Sequence, residues 1–180
     1  VSGRIVVLIG MPGAGKSVIG VLLAKCLGLR FVDTDLLIQE AEGRLLQDIL
    51  ETDGVEAFLR IEERVLCGLP ASGSVISTGG SAVYSETAMK YLRSLGKTVY
   101  LELPCAELEK RVKNITTRGI VIREGQSLAG LCVEREPLYA RYADVTVNCS
   151  GRTVEETLGD VLSALGHDGA CSENRPAVSH

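Results

Sequence analysis

Five short apolar runs, separated by longer stretches of helical period, organise this chain. Residues 4–9 read RIVVLI, a β-branched run bounded by Gly10 and suited to a strand buried on both faces. Similar runs fall at residues 29–32, 74–77, 98–103 and 145–148. Between them, residues 17–27 carry a helical pattern closed by Gly28, and residues 36–66 read as helix broken near Gly43 and at Thr52-Asp53-Gly54. Further helices are predicted over residues 84–95, 105–114 (with Pro104 near its start), 127–143 despite Pro137, and 153–165, where Thr153 caps. Residues 114–125 mix polar, glycine and β-branched positions without a period and read as a mobile loop. The alternation predicts an α/β fold in three layers, a central five-stranded parallel sheet with helices on both faces. One domain is expected over residues 1–166, with a helical excursion at about 33–65 and a lid at about 114–125. Residues 167–180 form a loosely attached tail.

Composition narrows the classes without choosing among them. The 180 residues are 46% hydrophobic and 23% charged, with a formal net charge of -4. That balance suits a soluble globular chain and argues against a nucleic-acid or anionic-membrane surface. No apolar run approaches the roughly 20 residues that span a bilayer, and the apolar start runs straight into a glycine loop rather than a signal-cleavage site. A cytoplasmic monomer is expected. Six cysteines stand singly, with no C-x-x-C pair, and the two histidines lie at positions 167 and 180. The thiols therefore read as reduced and incidental, and no zinc site is expected.

Chemistry enters at Gly10-Met11-Pro12-Gly13-Ala14-Gly15-Lys16-Ser17, a full match to G-x-x-x-x-G-K-[ST] between a buried strand and a helix. In such a loop, backbone N–H groups and a helix N-terminus receive phosphate oxygens. The run from Gly13 through Val18 is the expected ATP cradle. Lys16 would neutralise the β and γ phosphates, and the Ser17 hydroxyl would ligate magnesium. The third strand carries no D-x-x-G, and no N-K-x-D guanine signature occurs. Small-metabolite and nucleotide kinases remain. At the end of the second strand, Asp33 and Asp35 are expected to point the same way by strand alternation. Asp33 would then hold magnesium through water, and Asp35 would accept the proton of an attacking hydroxyl.

With these motifs on the page, the sequence resembles the shikimate kinase family over roughly residues 4–165. The likeness rests on the phosphate loop, Asp33-Thr34-Asp35, Gly79-Gly80 after the third strand, Arg118, and Arg135-Glu136-Pro137-Leu138-Tyr139. It implies a magnesium-dependent enzyme that phosphorylates a hydroxyl of shikimate with ATP, as a step of amino-acid biosynthesis. By the same resemblance Arg118 stabilises the transferred charge from the lid, Arg135 grips the substrate carboxylate, and Arg111 and Arg152 border the adenine. The chain departs from the family at three places. Ser81 stands where a third glycine is usual, and Gly119 replaces the proline after the lid arginine. Most telling, Leu59 occupies the position of a second carboxylate-binding arginine if Gly54-Val55-Glu56-Ala57-Phe58-Leu59-Arg60-Ile61-Glu62 is read without a gap; a one-residue insertion restores that arginine as Arg60. The substrate side is thus expected to involve Asp35, Gly79, Gly80, Ser81, Arg135 and one of Leu59 or Arg60. Open beside shikimate stand another small hydroxy acid or amino acid such as homoserine, a nucleoside monophosphate kinase, and a nucleotide-binding regulator without turnover.

Overall fold

The structure, a computed structural model, describes residues 4–112, 120–123 and 125–167. Strand β1 (Ile5–Ile9) is buried at all five positions, as its uninterrupted apolar run requires of a strand covered on both faces. It lies at the centre of a five-stranded sheet of order β2-β3-β1-β4-β5, where β2 is Arg30–Asp33, β3 Ser74–Ser77, β4 Lys97–Glu102 and β5 Val145–Asn148. Every pairing is parallel, so each return to the sheet needs a crossover, and helices supply them. The predicted fold class is the observed one.

Helix α1 (Lys16–Leu27) follows β1 and ends at Gly28, which adopts a left-handed conformation. Helix α2 (Thr34–Glu42) and helix α3 (Leu46–Cys67) form the excursion after β2. They are separated at Gly43, and α3 is kinked at Gly54, whose φ of 80° and ψ of 171° few residues but glycine accept. Both breaks match the sequence reading. Between β3 and helix α4 (Glu86–Leu95) a 3₁₀ turn occupies Ala82–Tyr84, where continuous helix from residue 84 was expected. The reason is local: the Ser85 side chain accepts the Ala88 N–H and starts a new helix there. Helix α5 (Cys105–Val112) leads to residues 113–119, which lie outside the described residues together with 124 and 168–180, so most of the predicted lid and tail do too. Helix α6 (Leu128–Tyr142) runs through Pro137. The carbonyl this proline leaves unbonded belongs to Val133, on the exposed face. Helix α7 (Val154–Ala164) opens with a full capping box between Thr153 and Glu156.

Two apolar clusters hold these parts. The large one joins the sheet to α1, α4 and α7. A second, smaller one contains Ile38, Leu46, Ile49, Phe58 and Val121, with Leu59 packed against it, and binds α2 to α3. Among the described residues no helix is long and apolar enough to cross a membrane. Cys67, Cys105, Cys132 and Cys149 are free thiols. Cys26 is disulfide-bonded, so the expectation of reduced thiols fails at that position.

Candidate active site

At the carboxyl edge of the sheet, β1 delivers the chain into the glycine loop and α1 begins at Lys16. Gly13 and Gly15 both have positive φ, which lets the loop curl around a volume where phosphates can sit. The Lys16 ammonium donates to the carbonyls of Gly10 at 2.7 Å and Met11 at 2.9 Å and is only 7% exposed. Burial lowers its pKa to about 8, against the pull of Asp35 and Asp33 and with a push from Arg135. Incoming phosphate oxygens offer this buried ammonium the countercharge that two carbonyls do not.

Asp33 works in two directions. Its Oδ2 accepts the Ser17 hydroxyl at 2.8 Å, and its Oδ1 accepts the Asp35 N–H at 3.0 Å, capping α2. Strand alternation, the expected reason for the convergence of Asp33 and Asp35, is not the observed one. Strand β2 stops at Asp33, and Asp35 sits in the first turn of α2, brought back over the cleft by the cap. Burial first, then the neighbouring Asp33, pushes the Asp35 pKa up to about 6, with Lys16 opposing. The Ser17 hydroxyl and the Asp33 carboxylate are hard oxygen donors, a fit for magnesium. Among the described residues no group of three or more His, Cys, Asp or Glu could hold a metal alone. Magnesium is commonly held by one or two side chains together with substrate phosphates and water.

A cleft of about 310 Å³ opens beside this loop, lined on the far side by Phe58, Thr78, Gly79, Gly80, Ser81, Val121 and Arg135. Arg135 is 1% exposed, and three of its contacts fix it: Nε donates to the Tyr84 hydroxyl at 3.0 Å, Nη2 donates to the Val121 carbonyl at 2.6 Å, and the guanidinium lies 4.9 Å from the Tyr84 ring centre. Tyr84 in turn donates to Glu134 at 2.6 Å. One turn along α6, on the same face as Arg135, Tyr139 donates to the Gly80 carbonyl at 2.6 Å. The R-x-P-L-Y segment therefore aims one residue at the cleft and braces the cleft wall with the other.

The structure gathers Gly13, Gly15, Lys16, Ser17, Val18, Asp35, Gly79, Gly80, Ser81, Arg111 and Arg135 around this cleft. Ala14 and Arg152 line an adjoining hollow of about 170 Å³ that Arg111 shares, with Val154, Thr157 and Cys149 as its apolar and polar walls. Arg118 lies outside the described residues. Leu59 and Arg60 do not line the main cleft. They border a separate cavity of about 130 Å³ behind Ser81, with Glu62, Glu63 and Tyr84. Phe58 and Glu62 are the buried residues of this stretch, whereas Arg60 is exposed. The sequence reading assigned no role to Phe58, Glu62, Tyr84 or Thr157. Phe58 and Glu62 had entered it only as markers of register, and Tyr84 as the start of a helix.

Comparison with known proteins agrees with this geometry. The family model described as "Shikimate kinase" matches residues 12–166. The shikimate kinase of Mycobacterium avium (strain 104) is 39% identical over 169 residues, covering 92% of this chain and 95% of that protein. Among solved structures, the shikimate kinase of Acinetobacter baumannii in complex with shikimate superposes with a TM-score of 0.83 at 29% identity, covering 90% of this chain and 92% of that one. The shikimate kinase of Aquifex aeolicus gives 0.78 at 32%, with coverage of 91% and 96%.

Proposed function

The chain belongs to the shikimate kinase family, and from that premise we propose that it transfers the γ-phosphoryl group of ATP to a hydroxyl of a small carboxylic acid held by Arg135. The observation that carries this reading is the meeting, in one cleft, of a buried lysine, a paired Ser17 and Asp33, a carboxyl with raised pKa at Asp35, and a fixed guanidinium.

The steps follow from the side chains. Phosphate oxygens take the place of the Gly10 and Met11 carbonyls on Lys16, so the ammonium neutralises charge as the β–γ bond breaks. Ser17 and Asp33 would hold magnesium, which would supply positive charge beside the phosphate oxygens. Asp35 takes the proton of the acceptor hydroxyl as that oxygen bonds to phosphorus; ADP leaves, and the proton passes to solvent. A carboxyl held near 6 binds that proton more readily than an ordinary aspartate and is still ionised at neutral pH. Arg135 offers Nη1 to the acceptor carboxylate and so sets the distance from carboxylate to reacting hydroxyl. Arg118 is assigned to the transferred charge by family likeness. Arg111, Arg152 and the hollow beside them are assigned to the base and ribose of ATP.

Shikimate is the first acceptor to try, because the relatives bear its name. A second reading, another small hydroxy acid or amino acid, draws support from Leu59, which brings no second arginine to the cleft. ADP release measured with magnesium–ATP over shikimate, homoserine, gluconate and nucleoside monophosphates tests both. Release with a hydroxy carboxylate supports the proposal; release only with nucleoside monophosphates, or with no acceptor at all, overturns it.

A further inference from the structure

An arginine only donates hydrogen bonds, so whatever already occupies its edges decides which edge a ligand can use. At Arg135, Nε donates to the Tyr84 hydroxyl at 3.0 Å and Nη2 to the Val121 carbonyl at 2.6 Å, whereas Nη1 has no partner. A Cβ on Gly80 would stand 3.1 Å from Nη1, and Gly80 and Arg135 both line the cleft. An acceptor carboxylate in the cleft therefore meets the Nη1 end, while Tyr84 and Val121 hold the other edge.

Tyr84 does more than fill an edge. Its hydroxyl has one hydrogen, and the neighbours dictate where that hydrogen goes. Arg135 cannot accept it, so it points to Glu134 Oε1, 2.6 Å away. Glu134 Oε2 accepts a side-chain N–H of Gln126, also at 2.6 Å. The Tyr84 bond, foremost, and the Gln126 amide hold the Glu134 carboxyl below its ordinary value against burial, so it is an anion at neutral pH. Burial, foremost, and that same anion raise the Tyr84 phenol, which keeps its hydrogen. Glu134 and Arg135, neighbours on α6, are thus joined through a neutral hydroxyl. Were the carboxylate free to reach the guanidinium, the ion pair would take up the positive charge that an acceptor carboxylate needs. The Tyr84 ring also lies against the guanidinium, its centre 4.9 Å away.

We infer that Tyr84 is a positioning residue for phosphoryl transfer: its hydroxyl spaces Glu134 from Arg135 and turns the unpaired Nη1 end toward the acceptor carboxylate. This rests on the kinase reading above and adds to it how Arg135 is kept available. Tyr84 ends the 3₁₀ turn that follows Gly79, Gly80 and Ser81, so the strip that walls the cleft also carries the group that aims its arginine.

The test is Tyr84→Phe, which keeps the ring, removes the hydroxyl and leaves Glu134 and Arg135 without their spacer. ADP release is measured with magnesium–ATP and shikimate, homoserine or gluconate, using whichever the parent turns over fastest. KM for that acceptor should rise about 10- to 100-fold, the scale of one hydrogen bond to a charged group. Tyr84 lines neither the phosphate cleft nor the hollow beside it, so KM for magnesium–ATP should stay within about twofold. Adding Glu134→Gln removes the competing anion and should return the acceptor KM to within about threefold of the parent's, a rescue that damaged packing would not show. An acceptor KM unmoved by Tyr84→Phe, a rise that the second substitution leaves in place, or an equal rise for ATP overturns the inference and leaves the kinase reading standing. No ADP release from the parent with any of the three acceptors overturns both.

Discussion

Glu62 gives the sharpest physical test, because its cost to the fold can be worked out before any substrate is known. A carboxyl that ordinarily titrates at 4.5 is held at about 7, chiefly by burial, with Asp35 adding to the rise and Ser81, Arg135 and Lys16 opposing it. Between those two values the folded protein binds a proton that the unfolded chain has released, so stability falls as pH rises through this window. At about 1.4 kcal/mol for each pKa unit, the buried anion costs about 3 kcal/mol above pH 7. Glu62→Gln keeps the shape of the protonated acid and removes the ionisation. The variant should therefore be more stable by no more than about 1 kcal/mol at pH 5, and by about 3 kcal/mol at pH 8. For a chain of this length that is a rise in Tm of roughly 6–12 °C. Asp35, also raised by burial, contributes to the slope in both proteins, so the difference between them isolates Glu62. Urea unfolding without nucleotide at pH 5, 6.5 and 8, with m held constant as a check on the unfolded state, reads the effect. Parallel pH dependences for the two proteins would mean that burial does not disfavour the Glu62 anion, and the reasoning would fall.

Other substitutions probe the rest of the cleft. Lys16→Ala removes the fixed countercharge of the phosphates and should lower kcat by about 100- to 1000-fold, measured by ADP release. Asp35→Asn should lower kcat by about 100-fold or more while ATP affinity by calorimetry changes little. The parent's kcat/KM should fall as pH drops through about 6, where Asp35 takes up a proton and stops acting as a base, and the asparagine variant should lack that limb. Gly80→Ala places a methyl 2.6 Å from Pro12 Cδ and 3.1 Å from Arg135 Nη1, so the phosphate loop and the guanidinium must both shift. KM should rise for ATP and for the acceptor together, each by about tenfold on the scale of overpacking; a rise in only one would separate the two halves of the cleft.

What the sequence made legible was local. A strand, a glycine loop and a helix in immediate succession announce a phosphate site, and Lys16 and Ser17 follow from it. Asp33 and Asp35 were legible as a pair but not in their geometry. Alternation along a strand gave the right residues for the wrong reason, because Asp33 stops the strand by capping the next helix. The surroundings of Glu62 and Tyr84 were not legible, because each depends on the approach of separate elements: α3 beside Gly79, and the 3₁₀ turn under α6. No spacing within one segment encodes such an approach. Arg135 was legible by family likeness, but its unpaired Nη1 was not, since that depends on which of its donors Tyr84 and Val121 already occupy.

The small apolar cluster of Ile38, Leu46, Ile49, Phe58 and Val121 keeps α2 and α3 together with contacts distinct from those of the sheet. The acceptor pocket thus has a foundation of its own. Changes on this platform meet a packing separate from the one beneath the phosphate loop. A lineage could therefore retune its choice of metabolite while inheriting the machinery for ATP intact, and the uneven distribution of departures along this chain is the trace such a history would leave.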